Sequence, residues 1–169
     1  MRVYLVRHGE AVPSGYAHDG DRPLTDEGRA RVKRTAAVWV AAGEPAPELW
    51  LVSPLVRAVQ TAELYLGAFG KEGPLATSRA LEPAGRLFTV VEMIDRFSAA
   101  RQALALVGHQ PLLGEIGAQL LGIGALPGAI EPGGVLAVDL TAPESPGRFA
   151  FYLEPAKAGQ DARFSGTMG

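Results

Sequence analysis

Short apolar runs alternate along this chain with longer segments whose apolar residues recur at helical spacing, which predicts strands and helices in turn. Val3-Tyr4-Leu5-Val6 is too short for a helix and rich in β-branched and aromatic residues, so it reads as a buried strand running into Arg7-His8-Gly9. A helix is expected from Thr25, a good N-cap followed by Asp26 and Glu27, to near Gly43, with Val32, Ala36, Trp39 and Val40 as its apolar stripe. Leu49-Trp50-Leu51-Val52 is a second strand. Ser53-Pro54 after it reads as the N-cap and first position of a helix running to about Gly70.

A short strand near 75–78 leads through the loop Glu82-Pro83-Ala84-Gly85 to a helix over about 88–100. The next apolar run, Leu104-Ala105-Leu106-Val107, ends in Gly108-His109, and Gln110-Pro111 opens a helix to about Gly122. After a Gly-Pro-rich connection at 125–134, strands near 135–140 and 148–153 lie close enough to pair antiparallel. The alternation argues for an α/β fold with a largely parallel sheet and an antiparallel edge. Residues 1–154 make one domain, and the small, polar tail at 155–169 is expected to be loose.

Three of these strands end in residues able to do chemistry: Arg7-His8-Gly9, Ser53, and Gly108-His109. If the strands are parallel neighbours, all three ends open onto one crevice, where open α/β sheets put their ligands. A single Arg-His-Gly is as readily a turn as a site, and its recurrence in a second strand-end histidine raises the second reading. Gly9 allows close backbone approach or φ > 0. Arg7 offers a fixed fork for phosphate or carboxylate, and His8 is suited to nucleophilic or proton-carrying work near neutral pH. Arg57, in the first turn of a helix, opposes the positive end of the helix dipole. A bound anion there would remove the conflict, and an arginine leaning into solvent is the alternative.

Composition narrows the classes. The 169 residues carry a net charge of −2, which gives no case for nucleic acid as a partner. There is no cysteine, which excludes disulfides and thiolate metal sites and suits the cytoplasm. The longest uncharged stretch, residues 116–130, is 15 residues long and broken by Gly and Pro, too short to span a bilayer, so no membrane association is expected. Arg7 interrupts the first apolar run, which therefore cannot serve as a signal-peptide core. The 13 arginines against three lysines, with no asparagine, fit a thermophile or a GC-rich genome alike. Arg29, Arg31, Lys33 and Arg34 read as a solvated helix face, with a docking surface for an acidic partner as the alternative.

Taken together, Arg7-His8-Gly9-Glu10, Leu24-Thr25 with Gly28, Ser53-Pro54 with Arg57-Ala58 and Gln60-Thr61, and Gly108-His109 resemble the histidine phosphatase superfamily, over most of the chain. The resemblance implies a three-layer α/β/α sandwich. It implies that His8 attacks phosphorus and forms a phosphohistidine that water hydrolyses, while Arg7, Arg57 and His109 hold the phosphoryl oxygens. Gly9 and Ser53 join Arg7, Arg57 and His109 as substrate-binding residues. No metal and no cofactor is expected, because the fixed cations take that role. Glu82 is the nearest candidate proton donor, with Asp19 or Asp21 as substitutes, and His18 reads as a solvated loop residue.

Few residues separate Arg57 from the next strand, which leaves little chain for a lid and only a minimal cap. In this the chain is similar to the short SixA-type phosphohistidine phosphatases. The expected activity is a metal-independent phosphatase acting on phosphohistidine in a protein. The alternative is a small-molecule phosphomonoesterase acting on a sugar phosphate, phosphoglycolate or nucleotide with the same site. Two other classes fit less well: the intact set of two arginines and two histidines argues against an idle regulator that binds phosphorylated partners, and flanking arginines would repel the cation of a metal hydrolase built on His8 and His109.

Overall fold

The computed structural model describes residues 1–70, 74–98, 101–141, 145–155 and 163–165. Seven strands are found among them: β1 (Arg2–Arg7), β2 (Leu49–Val52), β3 (Leu75–Thr77), β4 (Ala103–Gly108), β5 (Val135–Asp139), β6 (Arg148–Glu154) and β7 (Arg163–Ser165). They form one sheet in the order β3-β2-β4-β1-β5-β6-β7. β3, β2, β4 and β1 run parallel, while β5, β6 and β7 add antiparallel pairs. The helices are α1 (Asp26–Ala41), α2 (Val56–Ala68), α3 (Leu87–Ser98) and α4 (Leu112–Leu121).

Alternation along the strands divides the core in two. Tyr4, Val6, Trp50, Val52, Ala105 and Val107 pack with Val32, Trp39 and Tyr65 of α1 and α2. Val3, Leu5, Leu49, Leu51, Leu104 and Leu106 point the other way, toward Val90 and Ile94 of α3 and Leu113 and Ile116 of α4. The result is the expected three-layer α/β/α sandwich. Small Ala103 and Ala105 on the first face of the central strand leave room for the edge-to-face cluster of Trp39 with Tyr4, Tyr65 and Phe69.

The connections decide where a ligand can sit. β1 passes through α1 toward β2 on one face, whereas its neighbour β4 passes through α4 toward β5 on the other. Adjacent strands whose connections leave in opposite directions open a crevice at their carboxyl ends. Register aligns Arg7 with Gly108 and Val52 with Val107, so His8, His109 and Ser53 emerge together at that edge.

Four expectations need correction. Val40 does not belong to the buried stripe of α1: it is 38% exposed, and Thr35 is buried in its place. Ser53 does not cap α2, whose N-cap is Leu55 without a side-chain bond, because the Ser53 hydroxyl is held elsewhere. Gly9 does not have positive φ. Its need for glycine is steric, since a Cβ there would lie 2.8 Å from Val32 Cγ2 of α1. Within the tail expected to be loose from residue 155, residues 163–165 pair with β6, because Glu154 and its neighbours on that strand would otherwise end the sheet with open backbone groups. The remainder of that tail lies outside the described residues.

Candidate active site

Thr25 caps α1 as its sequence predicts, accepting the Gly28 N–H at 2.8 Å. The loop after β1 returns to this helix start, where Thr25 N–H donates to the Glu10 carbonyl. A Cβ on Gly28 would lie 2.3 Å from that same carbonyl. Leu24-Thr25 and Gly28 therefore serve one purpose: they let the chain following His8 lie flat on α1. On the other side Gly9 N–H donates to Thr61 Oγ1 at 3.0 Å, and that hydroxyl donates to the Arg57 carbonyl at 2.7 Å. Thr61 thus couples the end of β1 to the first turn of α2. Gly9 N–H is spent in this way, so it is not free for a substrate.

The imidazoles of His8 and His109 face each other across the switch point, with ring centroids 4.8 Å apart. His8 Nδ1 lies 2.7 Å from the Gly9 carbonyl, which can only accept, so Nδ1 carries the proton and Nε2 keeps its lone pair. Burial, with help from the nearby Arg57 and Arg7 charges, pushes its pKa down to about 4. His109 is buried, and its Nε2 lies 2.9 Å from Ser53 Oγ. That hydroxyl accepts the Leu55 N–H at 3.4 Å, and when it gives its own proton to Nε2 the His109 proton sits on Nδ1, the nitrogen without a protein partner. Burial first, and then the neighbouring His8, push the His109 pKa down to about 3. Both rings are neutral at pH 7.

The two arginines are anchored alike. Arg7 Nη1 donates to the Ile130 carbonyl at 2.9 Å. Arg57 is 3% exposed, so the solvent-facing alternative does not hold. Its Nη1 donates to the Asp19 carbonyl at 2.8 Å and its Nη2 to the Asp19 carboxylate at 2.9 Å. Three buried nitrogens of the site have no partner in the structure: Arg7 Nε, Arg57 Nε and His109 Nδ1. Buried donors without a partner are rare and costly, and several in one place mark a site for an acceptor. With His8 Nε2 added, each of the four residues ties at least one polar atom to the protein and leaves another unspent.

Other candidates are placed differently. Glu82 follows the 3-10 turn 79–81, whose Leu81 carbonyl lies against Gly108 at the end of β4. Its carboxylate is 3.9 Å from Arg79 Nε, and among the described contacts none joins it to His8, Arg7, Arg57 or His109. Asp19 is unsuited as a proton donor, because its bonds to Arg22 and Arg57 hold its carboxyl below the ordinary range and keep it ionised. Asp21 and His18 are exposed, at the end of the 3-10 turn 19–21 and at its N-cap. In the basic cluster of α1, Arg31 lies 3.9 Å from both Glu10 and Glu131, and Arg34 pairs with Glu27 at 2.8 Å. Ile130 and the grip of Asp19 on Arg57 escaped sequence reasoning, and Thr61 entered it only as a motif residue without a role, since each acts through a contact distant in the chain. Among the described residues no group of three or more His, Cys, Asp or Glu could hold a metal ion, and no helix is long and apolar enough to cross a membrane.

Comparison with known proteins gives the family of the chain. Residues 3–82 match the model of the histidine phosphatase superfamily (branch 1). An uncharacterised protein of Picosynechococcus sp. is 43% identical over 118 residues, 68% of this chain and 70% of that protein. The phosphohistidine phosphatase SixA of Escherichia coli is 32% identical over 121 residues, 71% of this chain and 74% of that enzyme. A solved structure of the protein histidine phosphatase SixA complexed with tungstate superposes with a TM-score of 0.80 at 27% identity, over 90% of this chain and 96% of that one. The chain belongs to the histidine phosphatase superfamily, in its SixA-type branch.

Proposed function

We propose that this protein removes phosphoryl groups from phosphohistidine in a protein partner, through a covalent intermediate on His8 and without a metal ion. The observation that carries the reading is the set of unspent nitrogens around one crevice: His8 Nε2, Arg7 Nε, Arg57 Nε and His109 Nδ1. His8 Nε2, neutral and already oriented, forms the bond to phosphorus as the bond to the leaving nitrogen breaks. Arg7, Arg57 and the Nδ1–H of His109 stabilise the equatorial oxygens, where charge spreads as the group transfers. Water then attacks the phosphohistidine and releases phosphate. Ser53 acts through His109 by fixing its tautomer. Gly9 acts by seating the chain on α1.

A protein substrate is favoured by what surrounds the crevice. α2 ends at Ala68 and β3 starts at Leu75, and the connection from β3 to α3 is only residues 78–86, so neither connection is long enough to fold over a small ligand. An imidazole leaving group departs with little help, which suits a site where Glu82 is turned to Arg79 and the Asp19 carboxylate is held by Arg22 and Arg57. In this reading Glu82 serves ester substrates more than phosphohistidine, and Glu82→Gln lowers turnover of an aryl phosphate more than that of a phosphohistidine protein. The tungstate held by the related SixA supports a tetrahedral oxyanion as the ligand.

Radiolabelled phosphate trapped on rapid acid-free quenching tests the intermediate: the wild type should carry an acid-labile, base-stable label and His8→Ala none. Equal labelling of both removes His8 from its role. Turnover of a phosphohistidine protein beside a panel of sugar phosphates, phosphoglycolate and nucleotides tests the substrate. Fast turnover of one ester with none of the protein replaces this reading with the small-molecule phosphomonoesterase. Activity that a chelator abolishes overturns metal independence.

A further inference from the structure

We propose that Asp19 is a positioning residue that selects which edge of the Arg57 guanidinium is offered to the phosphoryl group. The proposal rests on the phosphatase reading above. A guanidinium presents two bidentate edges, one formed by its two terminal nitrogens and one formed by Nε with the nearer terminal nitrogen. Asp19 takes the first edge entirely, with its carbonyl on Nη1 at 2.8 Å and its Oδ2 on Nη2 at 2.9 Å. Nε, on the second edge, is buried and without a partner. The plane of Arg57 is therefore set by a residue 38 positions earlier in the chain.

The clamp is itself held in place. Arg22 donates from Nε to Asp19 Oδ1 at 2.8 Å, and its Nη1 donates to the Val12 carbonyl at 2.9 Å. Each carboxylate oxygen of Asp19 thus has its own arginine, Oδ1 for Arg22 and Oδ2 for Arg57. The 3-10 turn 19–21 brings the backbone carbonyl and the carboxylate of Asp19 to bear on one guanidinium together. Asp19 also supplies negative charge at the start of α2, where Arg57 would otherwise oppose the helix dipole alone. Arg7 repeats the design with a neutral anchor, Nη1 on the Ile130 carbonyl and Nε unspent. Without the carboxylate of Asp19, Arg57 can turn either edge to the ligand, and the ordered geometry for the transferring oxygens is lost.

Asp19→Asn keeps the backbone carbonyl and the shape of the side chain, so it probes the carboxylate without removing the turn. It should lower kcat/KM about 10- to 100-fold, with most of the loss in kcat, as expected for a charge-assisted hydrogen bond that orients a catalytic cation. Asp19→Glu should recover part of the loss and Asp19→Ala none. In an Arg57→Lys background, which has no edge to select, Asp19→Asn should change kcat/KM less than about twofold. Orthovanadate inhibition should weaken in parallel in Asp19→Asn and stay unchanged by Asp19→Asn in the Arg57→Lys background. Three results overturn the proposal: wild-type kcat/KM in Asp19→Asn, an equal loss in both backgrounds, or tighter vanadate binding after Asp19→Asn. The last would make Asp19 a competitor of the phosphate. A wild type that neither turns over phosphohistidine nor binds vanadate removes the phosphatase reading, and this proposal with it.

Discussion

The imidazoles of His8 and His109, 101 residues apart in the chain, stand 4.8 Å apart at 54° across the point where β1 and β4 send their connections to opposite faces of the sheet. Each is held neutral by burial and by the cations beside it, and each has one nitrogen fixed by a neighbour, Gly9 or Ser53. Neutrality is what both proposed roles require, a free lone pair on His8 and an N–H donor on His109.

The pH dependence of the reaction follows from that. As the proposed nucleophile His8 must be unprotonated, and its pKa is pushed down to about 4, so the acid limb of kcat/KM should fall away near that value rather than near 6.5. A pH–rate profile of the wild type between pH 3 and 8 reads this directly. An acid limb centred near 6.5 shows that burial does not hold His8 neutral in solution.

Stability should respond to acid over a different range. Both histidines have folded-state values, about 4 and about 3, well below the ordinary 6.5 of the unfolded chain. Between those values the unfolded state binds more protons, so stability falls as the pH drops below about 6.5, each histidine contributing at most about 1.4 kcal/mol per pH unit. Calorimetric Tm values between pH 7 and 5 should decline in the wild type. They should decline less steeply in His109→Gln.

Removing the Ser53 hydroxyl should free the tautomer of His109. In Ser53→Ala the Nδ1–H that faces no protein partner is no longer enforced by a donor at Nε2, and kcat should fall about tenfold with the fold intact. Nitrogen NMR of the two imidazoles measures the tautomer independently. Unchanged tautomer and unchanged kcat would show that Ser53 does not act through His109.

Gly28 carries a steric prediction with no chemistry in it. A Cβ at this position would meet the Glu10 carbonyl at 2.3 Å, a backbone atom that cannot swing aside. Gly28→Ala should therefore destabilise the protein by about 1–3 kcal/mol, and should reduce activity by lifting the chain after His8 off α1. Urea unfolding with a parallel assay separates the two effects. Wild-type stability in the variant would mean that the loop and helix part at no cost.

Much of the architecture was legible because it rests on local pattern. The run Val3–Val6 and the stripe of Val32, Ala36 and Trp39 bury what their spacing predicts, since alternation and helical periodicity are properties of neighbouring residues. The cap at Thr25 is equally local. The misses are those where a distant partner outbids the local rule. Ser53 has the identity of an N-cap, but its hydroxyl serves His109, and α2 starts two residues later than expected, at Val56. Val40 is exposed although it lies beside the buried stripe. Asp19 looks like a possible acid until Arg22 and Arg57 close on it.

The sequence by itself determined the element order, the α/β class and the choice of Arg7, His8, Arg57 and His109 as candidates, because strand-end chemistry and family motifs are written in contiguous residues. Only the tertiary structure decided which atoms of those residues are spent and which remain available. That choice belongs to groups brought in from far along the chain: the Ile130 carbonyl for Arg7, Ser53 for His109, Thr61 for Gly9 and Asp19 for Arg57. A hydrogen bond depends on distance and angle between atoms, and for residues this far apart the chain order specifies neither until the sheet has formed.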